Sequence, residues 1–340
     1  MKSSNGSNNN NPSFCLEVWG TDYNKIKDTC ILAEKLGYDG FYYGESLADI
    51  DLDCWTIISN LSAITDKIKL GPVITYLLPQ YRNIFLLAKQ AMTLQQISNG
   101  RLEFRTGAGA TLQWSSQWWH PYGIDYPNNA ERASILEEGI QLIDILWNKK
   151  QTSVSFEGKY FKANGVTLQK TTSINQKGVP ITIAAKRNKT MQIAAKYADT
   201  WECSYITPEQ FASLNKKFDE MHKQFNNDNV GNISKKISKS IELDVIISDS
   251  DSDLEYKKRI FAMERGPGVA YQILKHGLVG KPDNIAEKLR EYTNAGVDQF
   301  FLAFQDPFDQ SIRFIHGSSC NDIDHNHKVV YQFHPSVADQ

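Results

Sequence analysis

Three places in this 340-residue chain combine residue types and spacings that can do chemistry. The first is Ala185-Lys186-Arg187-Asn188-Lys189-Thr190, a basic run between a short apolar segment and a helical pattern. Exposed N–H groups and the dipole at a helix start favour an anion, and cations add charge-assisted donors. The run therefore reads as a phosphate site, with a solvated basic helix start as the plainer alternative. The second is Tyr43-Gly44-Glu45-Ser46, which closes another apolar segment. Glu45 there can serve as a general acid or base or bind the polar edge of a ring; otherwise it is a surface carboxylate. The third is His120 in the aromatic run Gln117-Trp118-Trp119-His120-Pro121-Tyr122-Gly123. It can supply a proton from a covering loop, or simply pack beneath its tryptophans.

Short apolar runs alternate with amphipathic ones, the pattern of βα units around a parallel sheet. Strands are expected at 14–19, 39–43, 68–75, 102–106, 180–185, 199–204, 241–247 and 297–304. Eight such units predict an α/β fold, a (β/α)8 TIM barrel over 14–316 whose catalytic groups sit at the strand C-termini. After the third strand, Ile84, Leu87, Ala88, Ala91, Leu94 and Ile97 share one helical face, and Asn99-Gly100 ends that helix. Leu136, Ile140, Ile143 and Trp147 make a second stripe, and Pro282-Asp283 opens the last helix. Insertions are expected after strand four, as a long aromatic loop over 107–127, and after strand seven, through an acidic run to Gly266-Pro267-Gly268. A small hairpin before strand five is signalled by Glu157-Gly158 between two alternating runs. Residues 1–13 read as a disordered tail, and 317–340, with Cys320, His325 and His327, as a polar C-terminal tail.

A formal charge of −2 with mixed signs gives no footprint for nucleic acid or an anionic membrane surface. The five cysteines are odd in number, scattered and without a C-x-x-C pair, which argues against a disulfide framework and a zinc site. No apolar stretch has the length of a transmembrane helix, and the first residues lack an apolar leader. A cytoplasmic enzyme with a small-molecule substrate, no metal, and self-association into a homo-oligomer is the expectation.

Several runs resemble the luciferase-like monooxygenase superfamily. Among them are 33–46 (AEKLGYDGFYYGES), 53–75 (DCWTIISNLSAITDKIKLGPVIT), 81–109 with Ser98-Asn99-Gly100-Arg101-Leu102 and Gly107-Ala108-Gly109, 128–147, and Ala198-Asp199-Thr200-Trp201. Asp53-Cys54-Trp55, the 67–75 run and Tyr81-Arg82-Asn83 look closest to the branch that uses the deazaflavin F420. The resemblance implies a tricyclic cofactor at the strand C-termini. F420 is expected, with hydride transfer to or from a small organic substrate. FMN with O2 activation is the alternative, and a cofactor-binding protein with little catalysis is a third reading. It implies a non-proline cis peptide at Val73-Ile74 supporting one ring face, with Thr75 beside it, and Gly107 and Gly109 near the cofactor. It also implies that the phosphate lies on Ala185, Lys186, Arg187 and Asn188. Many relatives carry histidine after the acid at strand two; Ser46 stands here, which puts a histidine-based transfer in doubt. Trp19 or Glu17, at the end of strand one, can line the cleft. Arg82 is read as pairing with a rim carboxylate and Arg101 as structural.

Overall fold

The strands are short, apolar and punctuated at each start by a residue that fastens the backbone. Asp39 accepts from the Phe14 amide at 2.7 Å, Asp199 from the Ile181 amide at 2.8 Å, and Asp298 from the Lys239 amide at 3.0 Å. The computed structural model describes residues 12–48, 50–147, 153–167, 178–228 and 236–315. The tail residues Cys320, His325 and His327 lie outside the described residues.

Eight strands form the barrel wall: β1 Ser13–Val18, β2 Gly40–Gly44, β3 Lys69–Val73, β4 Phe104–Gly107, β7 Ile181–Ala184, β8 Thr200–Ser204, β9 Ser238–Ile247 and β11 Gln299–Phe304. They run parallel in the order β3-β2-β1-β11-β9-β8-β7-β4, and bridges Leu70–Leu102 and Thr75–Thr106 bring β3 back to β4. The expected TIM-type barrel, nearly closed, is therefore present. β10 (Leu278–Gly280) extends the wall beside β9, and β5 (Val154–Glu157) with β6 (Lys162–Val166) makes a separate antiparallel hairpin. That hairpin precedes the fifth barrel strand as expected, but its turn is 158–161, with Glu157 still in the strand. The Glu138 carboxylate accepts the amides of Lys159, Tyr160 and Phe161 and fixes the turn one residue later than Gly158 suggests.

The outer helices are α1 Tyr23–Leu36, α2 Cys54–Ile64, α3 Ile84–Ile97, α5 Asn129–Trp147, α6 Asn188–Tyr197, α7 Pro208–Asp228 and α10 Pro282–Asn294. Asp22, Asp53 and Asn83 cap α1, α2 and α3 by accepting first-turn amides, as short polar side chains at that position do. The 107–127 segment is more ordered than a loop: it carries α4 (Leu112–Trp119) and a 3-10 turn, His120–Tyr122. Its anchor is Trp119, fully buried edge-on to Tyr76 and Tyr81 with ring centroids 4.8 Å away in each case. The insertion after the seventh barrel strand is a helical pair, α8 (Asp251–Arg265) and α9 (Pro267–His276), with its own small apolar cluster of Ile246, Phe261, Ala270 and Ile273.

The Ser98–Leu102 motif is a staple at the N-terminal end of the barrel. Arg101 donates to the carbonyls of Ser62, Thr65, Ile68 and Ser98 and to the Thr65 hydroxyl. Asn99 and Gly100 both have positive φ, 55° and 86°, the backbone that turns α3 back into β4.

Candidate active site

Inside the barrel, charged side chains alternate along otherwise largely apolar strands: Glu103 just before β4 and Arg105 on it, Glu202 on β8, Glu242 and Asp244 on β9, and Glu17 on β1. Period-two alternation points each set into one face of its strand, and closure of the wall brings the sets together. Arg105 is completely buried. Its Nε and Nη2 donate to Glu202 Oε2 at 3.0 and 2.8 Å, its Nη2 lies 2.7 Å from Glu17 Oε1, and its guanidinium sits 3.7 Å from the Phe301 ring centroid. Burial pushes Glu202 up to about 7 despite Arg105, with Glu17 adding to the rise. Glu242, half-buried, is held far above the usual carboxylate range by burial, then by the charges of Glu17 and Glu202. Asp244 is pushed up to about 6 by burial, against the pull of Arg265. Tyr205 follows β8 in the left-handed region at φ 54° and is 48% exposed; the charge of Glu242, then burial, raises its hydroxyl well above the usual value. A non-glycine residue there is uncommon and marks a constrained position.

Glu45 closes β2 but is fully engaged. Its carboxylate pairs with Arg82 and accepts from Thr75 Oγ1, from Tyr81 OH at 3.0 Å and from Trp55 Nε1 at 3.3 Å. Burial raises its carboxyl from the ordinary value, and Arg82 with the hydroxyl donors pulls it back. The expected Arg82 pairing with a rim carboxylate is thus present, and Glu45 is the carboxylate. Thr75 is buried as well, its carbonyl accepting from Thr106 Oγ1 at 2.8 Å.

Every peptide bond among the described residues is trans, so the expected cis bond at Val73-Ile74 is absent. The Val73 carbonyl accepts from the Glu45 amide at 3.1 Å, and the Thr75 amide donates to Arg105 O at 2.9 Å. A trans chain makes both bonds as it passes from β2 to β4. Val73 and Ile74 are half-buried at this end, Val73 against the interior cluster of Cys15, Tyr42 and Phe301. Ile74 lies over Gly107, where an added Cβ would come within 3.0 Å of Ile74 Cδ1 and 3.1 Å of Ala184 Cβ. At Gly109, with φ 76°, a Cβ would come within 2.3 Å of Tyr126 OH. Both glycines are thus required by close packing. Trp19 is half-buried against Gly44, where a Cβ would meet its ring at 2.2 Å. His120 is exposed on the 3-10 turn and does not pack beneath the tryptophans; Trp119 takes the buried place.

Ala185 is buried, its carbonyl accepting Trp201 Nε1 at 2.7 Å, while Lys186, Arg187, Asn188 and Lys189 are exposed. Arg187 is the N-cap of α6 and makes no side-chain cap bond, so first-turn amides of that helix stay available. Lys186 Nζ reaches Ser204 O at 3.2 Å across the β8 end, and Lys217 on α7 donates to Asn188 Oδ1 at 2.5 Å. Burial first, and Arg187 in addition, holds Arg132 below the usual arginine range. The sequence reading missed Lys217 and Arg132 here. It also missed Arg105, Glu202, Glu242, Asp244 and Tyr205 in the barrel. The signal available was the alternation Glu103-x-Arg105 and Glu242-x-Asp244 inside strands that a doubly covered sheet should make apolar throughout.

A cavity of about 400 Å³ lies at the C-terminal ends of β9 and β11 against α8, with Val245, Tyr256, Lys257, Ile260 and Gln305 on its walls. Among the described residues no three His, Cys, Asp or Glu side chains are spaced to hold a metal ion, and no helix is long and apolar enough to cross a membrane.

Such a molecule is a (β/α)8 barrel with its unbalanced charge gathered where the strands end, the arrangement of a ligand-binding barrel. Residues 4–265 match the family described as luciferase-like monooxygenase, and the chain belongs to that family. It is a family of flavin- or F420-dependent oxidoreductases and monooxygenases. The chain is 28% identical over 204 residues to pyrimidine monooxygenase RutA of Agrobacterium fabrum, covering 56% of this chain and 53% of that protein. It is 27% identical over 188 residues to the 5,10-methylenetetrahydromethanopterin reductase of Archaeoglobus fulgidus, covering 55% and 51%. The chain thus spans about half the length of these curated relatives. Among solved structures, an F420-dependent secondary alcohol dehydrogenase in complex with an F420-acetone adduct superposes with a TM-score of 0.71 at 17% identity, over 87% of this chain and 94% of that one. Riboflavin lyase RcaE, with modified FMN and riboflavin, gives 0.72 at 13% identity over 95% and 94%. At these identities the likeness is one of fold.

Proposed function

We propose that this protein is an F420-dependent oxidoreductase that moves a hydride to or from a small organic substrate at the barrel mouth. The observation that carries the reading is the start of α6, an uncapped helix N-terminus surrounded by Lys186, Arg187, Lys189 and Lys217. Lys186, Lys189 and Lys217 donate to a carbonyl, a hydroxyl and an amide oxygen rather than to carboxylates. An anionic group at that terminus would accept backbone N–H bonds and meet the two flanking cations of Lys186 and Arg187. Four lysines and arginines exceed what one phosphate needs, and they suit a cofactor that adds an acidic tail to its phosphate. Val73 and Ile74, half-buried at the same end of the barrel, offer an apolar support for one face of a flat ring.

When bound, F420 supplies a carbon centre that takes or gives a hydride. The chain's own residues do the rest: the α6 start orients the phosphate, and Val73 and Ile74 fix the ring plane. Glu45 ties β2, the start of β4's neighbour Thr75 and the Tyr81-Arg82 segment into a rigid rim. FMN with O2 activation is the second reading, supported by the similarity to RutA. Parallel titration of the purified protein with F420 and FMN, followed by fluorescence or heat, decides between them. Tight F420 binding with turnover is expected. Tight FMN binding with no response to F420 overturns the proposal, and F420 binding without turnover of any alcohol or ketone leaves a cofactor-binding protein.

A further inference from the structure

Two carboxylates in the barrel interior share a single guanidinium, and a third stands beside them without one. Glu17 and Glu202, 0% and 1% exposed, both contact Arg105, while Nη1 of Arg105 and Oε2 of Glu17 are buried without a hydrogen-bond partner. Glu242 stands next to them, level with Phe301 on one side and Ser204 on the other. No hydrogen bond or ion pair engages its carboxylate among the described residues. Two carboxylates on one guanidinium leave a net negative charge in a sealed, low-dielectric space. A third ionised carboxylate beside them carries a desolvation cost and the repulsion of Glu17 and Glu202, which the more distant pull of Arg105 only partly offsets. The member that relieves this by holding a proton is the one with no cation contact, and that is Glu242. It is also the member open to the mouth: Glu17 and Glu202 are sealed, whereas Glu242 is half-buried beneath Tyr205.

We propose that Glu242 is neutral at physiological pH and is the proton carrier of the active site, its charge state set by Glu17, Glu202 and Arg105 beneath it. The proposal rests on the hydride-transfer reading above. With a bound cofactor that supplies a hydride to a carbonyl carbon, the C–O π pair would move to oxygen. That oxygen takes the Glu242 proton, and the Glu242 O–H bond breaks to leave a carboxylate. Water in the mouth then reprotonates it. In the oxidising direction the same carboxylate receives the alcohol proton. The charged and titratable groups facing Glu242 are Glu17 from β1, Tyr76 after β3, Arg105 from β4, Glu202 and Tyr205 from β8 and the residue after it, and Asp244 from β9. Arg265 at the end of α8 acts on Asp244 and Tyr205. β11 contributes Phe301 and Ala303 and no charge at this level.

The test uses the full chain without cofactor. Infrared difference spectra across pH should show protonated carboxyl C=O absorption at pH 7 that contains, beside the contribution of Glu202, a band lost in Glu242→Gln. In Glu202→Gln, which removes one negative neighbour and keeps Arg105, the midpoint at which that band disappears should move down by about one pH unit. A wild-type protein with no such band at pH 7, or carboxyl absorption left unchanged by Glu242→Gln, overturns the proposal. If Glu242→Gln does not fold, Glu242→Asp shifts the band instead of removing it, and an unshifted band is equally fatal. With the cofactor that titration identifies, Glu242→Gln should lower kcat by about 100-fold, leave cofactor affinity unchanged and abolish the alkaline limb of the pH profile. Because the infrared arm needs no cofactor, its failure is distinct from a failure to bind F420.

Discussion

The two ends of the barrel treat buried charge in opposite ways. At the N-terminal end Glu103 is satisfied: it accepts from Tyr42 OH at 2.6 Å, Thr182 Oγ1 at 2.7 Å and Gln299 Nε2 at 3.4 Å, with Lys69 at 3.9 Å. Arg101 nearby spends its guanidinium on backbone carbonyls. Towards the C-terminal end Glu17 and Arg105 retain unpartnered atoms, and Glu242 has no cation of its own. Satisfied networks rigidify a fold, whereas a half-satisfied one is destabilising and persists where function requires it. The comparison also works within the mouth, where Glu45 has four donors and Glu242 none.

The strongest way to break this contrast is to remove the shared cation. Arg105→Ala leaves Glu17 and Glu202 sealed without a counter-charge and should cost about 3–5 kcal/mol in urea unfolding at pH 7. Part of that loss should return in acid, where both carboxylates can take up protons; a variant as stable as wild type would mean that the cluster is not buried as described. Glu45→Gln removes the Arg82 pair from a site with good donors and should cost about 2–3 kcal/mol of stability, more than it changes cofactor affinity. The reverse ranking, measured by unfolding and cofactor titration side by side, would move Glu45 from rim support to ligand contact. Lys186→Ala with Arg187→Ala should weaken cofactor binding by about 1–2 kcal/mol and leave Tm in place, since both side chains are exposed. An unchanged dissociation constant would sink the phosphate assignment.

The smallest expected effect is on the pH dependence of folding. Glu202 has a folded value of about 7, above its ordinary 4.5, so the native state binds more protons than the unfolded chain between those limits. Its contribution to stability is therefore full below about 4.5 and is lost as pH rises through 7. Stability measured by denaturant titration should decline over that window, and Glu202→Gln should flatten the decline. A slope of opposite sign would show that the cluster is ionised throughout.

Much of the fold follows from local pattern. All eight barrel strands fall where short apolar runs predict them, α3 occupies 84–97 as its periodicity requires, and Arg101 is structural because a guanidinium at a strand entrance finds free carbonyls. The basic start of α6 is likewise visible in the order of its residues. Pairings between distant residues are not local. Arg105 and Glu202 are 97 positions apart, and only the register β4-β7-β8 and closure through β1 place Glu17 and Glu202 on the same guanidinium. The sequence marks Glu45 as a strand-end acid, but whether it is free or spent depends on Thr75, Tyr81 and Arg82, which arrive from the next strand and its loop. Secondary structure is set within a few residues by period and capping. The charge state of a buried carboxylate is set by whatever the tertiary fold brings within a few ångströms, and in this barrel that was decided by strand register and closure.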